Sequence, residues 1–399
     1  MSADTAHPPG PTRRPRIASI DVLRGLIMVI MALDHSHDFF GNFAASPTDL
    51  ATTTVGLFFT RWITHICAPT FFLLTGTGAY LTLGRMSKSA LARYLVSRGL
   101  WLIFLELVVM RFALQFNFDY QVTIVTVLWA LGWAMIVLAA LIWLPLWAIG
   151  AFGAVLIVGH DALDGVQAAS FGALKPLWLL LHQPGVVYNN GHSIVLVSYV
   201  LIPWVGVTAL GYVLGRAFGW EAAARRRLLS RLGVGLIAGF IILRLVDAYG
   251  DPSRWSQQKT LLWTLLSFLN TSKYPPSLLY LMMTLGPALL LLRAFDAGTP
   301  RLLRAVHTVG KVPLFFFVLH FYLIHLLAVG ASWVRYGRVS EVFQSPDLAH
   351  FPFAAPPGWD LGLPFVYAVW VLVLVLLYPL CRWYAGVRQR RHAWWLSYL

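Results

Sequence analysis

The sequence predicts an all-α polytopic membrane protein of about ten transmembrane helices, with both ends on the cytoplasmic side. Three observations carry this. Of the 399 residues, 58% are hydrophobic and only 12% charged, with a mean hydropathy of +0.70; a soluble domain carries about twice that charged fraction. Apolar runs of bilayer length, about 20 residues, recur near 17–35, 61–83, 93–114, 121–140, 142–160, 192–215, 231–249, 275–293, 310–333 and 362–385. The segments between them alternate in charge. Those placed inside hold 20 of the 30 Lys and Arg residues and those placed outside hold 7, the asymmetry that sets orientation. The net charge of +14 therefore reads as topology, with the lipid bilayer as partner and no nucleic acid.

Residues 1–16 are polar, proline-containing and basic and read as a disordered cytoplasmic lead; 17–388 form one transmembrane helical domain, and 389–399 a cytoplasmic tail. The first apolar run continues into Asp34-His35-Ser36-His37 without a small-residue cleavage pattern, so no signal peptide is evident. Cys67 and Cys381 fall towards opposite membrane faces, which argues against a disulfide. Many of the 17 Trp, 15 Tyr and 25 Phe lie near span ends, as interfacial belts require. The segment 261–269 is apolar but too short to span and reads as an interfacial or re-entrant helix. No P-loop, nucleotide-binding glycine pattern, CxxC or HExxH occurs, so no metal or prosthetic group is expected. A homo-oligomer is compatible with the chain.

The first span, Ile20–His35, carries the strongest chemical signal. It is almost wholly apolar yet holds Asp21, Arg24, Asp34 and His35, and a charge at the bilayer centre costs at least ~2.5–3.5 kcal/mol on insertion scales. Arg24 and His35 are about 16 Å apart along a helix and three turns on, roughly one face. Arg24 can meet a phosphate from the cytosol through its planar fork, and Asp21 can pair with it at i+3. His35, at the far mouth, can serve as general base or transient acyl carrier. Asp34 joins it as a candidate catalytic acid, although adjacent residues on a helix do not face each other and an acid from another span is a better orienter. The plainer reading has Arg24 snorkelling to the interface and His35 as a boundary residue.

The second span opens with Arg61 and places His65, Pro69, Phe72 and Gly76 on one face. His65 is a candidate partner of His35. Gly76 offers either a cofactor-binding notch or close helix packing. Glu106 with Arg111 in the third span, and Arg244 with Asp247 in the seventh, read first as structural charge pairs. Lys273 and Tyr274 precede a Pro-Pro helix entry, where they either hold a polar ligand or belong to an ordered cap. In the ninth span, His320 near mid-membrane is a site residue or a packing hydrogen-bond partner, and His325 reads as packing or interfacial. The long outer loops, which with the span mouths hold His37, His182, His192 and His350, leave room for a polar substrate.

Several blocks resemble a known family. Arg24 and His35 resemble the arginine–histidine pair of the membrane acyltransferase superfamily that decorates sugars, and PTFFLLTG (69–76) resembles its following motif. IDVLRGLIMVIMALDH (20–35), RWITHICAPTFFLLTGT (61–77), IPWVGVTALGYVLG (202–215), TSKYPPSLLYLMMTLGPALL (271–290) and VGKVPLFFFVLHFYLIH (309–325) are similar to bacterial relatives of the heparan-alpha-glucosaminide N-acetyltransferase catalytic domain. The resemblance implies a protein of the bacterial inner membrane that takes acetyl-CoA from the cytosol and passes its acyl group to a sugar or glycan outside. Arg24, with Gly76, would hold the CoA, and His37, Arg61, Lys273, Tyr274 and His320 would hold the acceptor. The position matching His35 is Asn in the lysosomal enzyme, whose catalytic His lies in the first lumenal loop, where this chain offers only His37. His35, His37 and His65 therefore all stay open for the catalytic role. The alternatives are a transporter of small polar or anionic solutes and a haem or quinone redox protein using His35, His65 or His320. No inverted repeat supports the transporter.

Overall fold

The computed structural model describes residues 17–42, 46–347, 351–391 and 396. The expected lead at 1–16, most of the tail beyond 391, and His350 lie outside these. Helix α1 (Ala18–Phe40) is the hub of the bundle: it packs against α2 (Val55–Thr64), α3 (Cys67–Leu83) and four later helices. Its 23 residues reach about 34 Å, and Asp21 in its first turn suits the helix dipole. Leu23, Ile27, Met28 and Met31 are buried between neighbours, so its charged residues are screened from lipid by protein.

The chain continues through α4 (Lys88–Phe104), a π-helical turn (Leu105–Met110) and α5 (Arg111–Gln115), then α6 (Val127–Leu141), α7 (Leu146–Gly159), α8 (Lys175–Leu181), α9 (Leu201–Gly215) and α10 (Ala222–Val246). The short α11 (Leu261–Leu269), then α12 (Leu278–Ala297), α13 (Arg304–Gly310), α14 (Pro313–Tyr336) and α15 (Leu363–Arg390) complete it. Among the described residues, seven helices are long and apolar enough to cross a membrane: 55–83, 146–163, 201–219, 222–246, 278–297, 313–336 and 363–390. The other expected runs, 17–35, 93–114 and 121–140, are more charged or shorter than that standard. Side-chain caps start several helices, Thr54 for α2, Ser87 for α4, Thr260 for α11 and Ser277 for α12, each satisfying an amide the first turn leaves open.

Two expected helical boundaries need correction. Residues 122–125 and 194–197, placed within spans by hydropathy, are strands. Strand β1 (Val122–Val125) pairs parallel with β3 (Ile194–Val197), and β3 pairs antiparallel with β2 (Gly185–Asn189). The β2–β3 turn uses Gly191 at φ +84°, a conformation that favours glycine. The runs are β-branched and short, and hydropathy alone does not separate such a strand from the end of a buried helix.

Helix pairs close on facing glycines, as small residues allow in membranes. Gly76 meets Gly211 (α3–α9), Gly99 meets Gly132 (α4–α6), Gly153 meets Gly206 (α7–α9) and Gly233 meets Gly286 (α10–α12). The tightest is α1–α13, where a Cβ on Gly310 would stand 1.7 Å from the Asp21 carbonyl oxygen and one on Gly25 1.9 Å from that of Val306. This seam fixes the height of Arg24.

Candidate active site

Two cavities lie against α1. The first, of about 370 Å³, is lined by Arg24, Arg98, Lys311 and Arg388 together with Tyr94, Thr75 and Gly78. No acidic side chain is among its described lining residues. Arg24 Nη1 lies 3.6 Å from Asp21 Oδ1 and its Nη2 donates to the Leu74 carbonyl (3.3 Å), so the expected i, i+3 pair is present. Arg388 donates to the Lys311 carbonyl (3.0 Å), which gathers two of the four cations. Four guanidinium or ammonium groups gather around this cavity, a set whose arginine forks match phosphate oxygens in geometry.

The second cavity, of about 280 Å³, is lined by Asp34, His35, Asp38, Arg61, Thr64, Glu106, Ser198, Tyr199, Lys273, Tyr274 and Asp347, over an apolar floor. His35 Nδ1 lies 3.0 Å from Asp38 Oδ2. A carboxylate there accepts the Nδ1 proton and leaves the lone pair on Nε2, the arrangement of an oriented base. Asp34 is turned to a different task. It accepts from Arg61 and from the Thr64 hydroxyl (2.7 Å), with Lys273 Nζ 3.9 Å away. Arg61 also stands 3.9 Å from Asp38, so one network of two acids and two cations frames His35. Glu106 accepts from the amides of Thr126 (2.9 Å) and Leu128 (3.1 Å) and from the Thr126 hydroxyl (2.6 Å). It therefore caps α6 from the π-helical turn.

Phe71, Val127 and Phe317 line both cavities. They form the waist between the basic chamber and the histidine chamber. Val127 opens α6 directly after β1, so the sheet sets one side of this waist; Ile124 and Leu196 continue the wall.

The structure brings together Asp34, His35, Arg61, Lys273 and Tyr274 and places Arg24 in the adjoining chamber. The remaining expected residues lie elsewhere. Gly76 lines neither cavity and is closed against α9; the glycine beside Arg24 is Gly78, whose Cβ would stand 3.1 Å from Arg24 Nη2. His65 is buried edge-on to Tyr280, ring centroids 5.4 Å apart, and does not line His35's cavity. His320 is fully buried with Nδ1 3.2 Å from the Phe316 carbonyl and its ring centroid 5.2 Å from that of His35, behind the lining. His37 lines neither cavity. His325 lies between the carbonyls of Ala113 (2.9 Å) and Val342 (2.8 Å), a packing role as expected. Neither expected charge pair closes first on its sequence neighbour. Arg111 pairs with Asp119 (2.9 Å), and Arg244 donates to the Phe268, Ser253, Ser267 and Asn270 carbonyls beside Asp251. The Asp119 carboxyl, despite partial burial, is held below the usual range by the Gln121 amide, the Ser345 hydroxyl and Arg111.

Sequence reasoning missed Asp38, Thr64, Arg98, Lys311, Arg388 and the waist. Asp38 is legible as the acid at i+3 of His35, whereas in sequence the three cations carry only a topology signal. Against known families, a model described as "Heparan-alpha-glucosaminide N-acetyltransferase, catalytic" matches residues 16–246, more than half of the chain and all of α1 to α10. No curated protein matches significantly.

Proposed function

Because this chain belongs to the heparan-alpha-glucosaminide N-acetyltransferase catalytic family, we propose that it is a membrane acyltransferase moving acetyl from cytosolic acetyl-CoA to an amine or hydroxyl of a sugar or glycan on the opposite face of a bacterial inner membrane. The observation that carries this reading is the pair of chambers joined at Phe71, Val127 and Phe317. One has the charge for a polyanion, the other an oriented imidazole. A CoA carries a pyrophosphate and a further phosphate at one end and a slender thioester arm at the other. Arg24, Arg98, Lys311 and Arg388 take the phosphates, and the arm reaches through the waist towards His35.

The chemistry then needs one base. The acceptor's lone pair attacks the thioester carbonyl, the acceptor's proton passes to His35 Nε2, the C–S bond breaks, and the imidazolium returns the proton to the leaving thiolate. Asp38 holds the Nδ1 proton and steadies the imidazolium. Transfer through an acetyl-imidazole would use the same nitrogen. Asp34, Arg61, Lys273 and Tyr274 form the acceptor wall. His37, His65 and His320 stand outside the reacting set in this reading, with His320 and His65 backing the site.

The test is acetyl-CoA binding by calorimetry in detergent. Wild type binds, Arg24→Ala binds more weakly, and His35→Ala binds as wild type but transfers nothing to an amino-sugar panel. Monodisperse wild type that binds no acetyl-CoA overturns the reading.

A further inference from the structure

We propose a divalent transition-metal site, of Zn²⁺ type, formed by His160, Asp164 and His182, outside both chambers. Each residue offers one ligand atom, and these atoms all lie within 4.8 Å of one another. None of the three lines the two cavities. His160 closes α7, Asp164 follows it by one turn, and His182 closes α8.

The independent sign of a missing ligand is His160. Its residue is 1% exposed, and neither ring nitrogen has a well-formed hydrogen bond. Asp161 Oδ1 lies 3.4 Å from Nδ1, yet that oxygen too has no hydrogen bond; the Pro276 backbone approaches the ring as a weak hydrogen-bond partner, short of full geometry. A buried imidazole with no well-formed hydrogen bond on either nitrogen is unfavourable, and a cation taking one lone pair relieves it. His182 is 3% exposed, stacked on Trp178 at 5.1 Å, with Nε2 2.7 Å from the His160 carbonyl and 3.7 Å from Asp164 Oδ1. Binding through that nitrogen shifts its proton to Nδ1 and releases the carbonyl. The Asp164 side chain is 23% exposed and gives an entry path.

Two imidazoles and one carboxylate are the donor set of zinc and its first-row neighbours; Mg²⁺ and Ca²⁺ prefer oxygen alone. Ligand bonds of about 2.1 Å at tetrahedral angles set ligand atoms about 3.4 Å apart, so side-chain rotation must close up to roughly 1.4 Å from the 4.8 Å spread seen here. The site's position gives it a structural task. It ties the end of α7 to α8, and Asp161, between its ligands, caps the Leu278 amide of α12 at 2.9 Å. Helix α12 follows directly from Lys273 and Tyr274, so the ion would steady one wall of the histidine chamber.

The experiment uses the full chain in detergent, carrying no histidine tag, stripped with chelator and re-equilibrated with Zn²⁺. After desalting, metal is counted by mass spectrometry and the melting temperature recorded with Zn²⁺ and with Mg²⁺. Wild type retains one zinc per chain and melts higher with Zn²⁺ only. Asp164→Asn, at the part-exposed ligand, and His182→Gln lose both effects while the metal-free melting curve of Asp164→Asn matches wild type. No retained zinc in wild type, or equal retention by Asp164→Asn and His182→Gln, overturns the site. Neither readout depends on the chain's activity.

Discussion

Neutralising Asp34 in Asp34→Asn should damage the protein's stability before its chemistry. Asp34 is 8% exposed and serves Arg61, Thr64 and Lys273 together. Its loss strands two cations whose side chains are 18% and 10% exposed. Removing one partner of a fully buried ion pair costs ~3–5 kcal/mol. Here Arg61 keeps Asp38 at 3.9 Å and both cations retain some water, so the expected loss is about 1–3 kcal/mol. The assay is thermal unfolding in detergent, with Asp34→Asn, Arg61→Gln and the double variant forming a cycle. The double variant should lose less than the sum of the singles, because removing Arg61 removes a cation Asp34 had to neutralise. Activity should fall mainly as a raised acceptor KM, since Arg61 and Lys273 shift. Additive losses, or a melting curve for Asp34→Asn that matches wild type, would refute the hub assignment.

Three further outcomes follow from the same geometry. Asp38→Asn should lower kcat about 10²–10⁴-fold, the range for a positioned acid–base group, with a smaller drop in melting temperature than Asp34→Asn because Asp38 is part-exposed and stands farther from Arg61; steady-state kinetics with a melting control checks it. Phe317→Ala or Phe71→Ala should widen the waist and raise use of longer acyl-CoA donors relative to acetyl-CoA, read in a donor competition; unchanged donor preference would move the selectivity elsewhere. Gly310→Ala sets a methyl 1.7 Å from the Asp21 carbonyl oxygen and should destabilise by about 1–3 kcal/mol or more, whereas Gly330→Ala, with open space around its Cβ, should be neutral or slightly stabilising by melting temperature.

What the sequence made legible was whatever a helix periodicity or a buried charge writes into one segment. Arg24 and His35 could be placed on one face from spacing alone because α1 is regular through 23 residues. The family resemblance rested on the same blocks. The strands at 122–125 and 194–197 were hidden because short β-branched runs share their hydropathy with span ends, and their pairing partner is some seventy residues away. Asp34 as a bridging residue could not be read, since its cations sit on α2 and before α12. The gathering of Arg98, Lys311 and Arg388 beside Arg24 depends on how α4, the end of α13 and α15 come together around the cavity beside α1, and a topology count sees only their side of the membrane. Gly76 and Gly78 differ by two positions and by which helix they face; only packing separates the one against α9 from the one beside Arg24.

The central claim is transfer between two chambers on opposite faces. Proteoliposomes with the chain in one orientation test it directly: acetyl-CoA goes to the face bearing Arg24, Arg98, Lys311 and Arg388, and an amino-sugar panel to the face bearing His35. The account predicts acetylated product on the His35 side and free CoA on the other, both lost in His35→Ala. Product formed only when donor and acceptor share one face would contradict it.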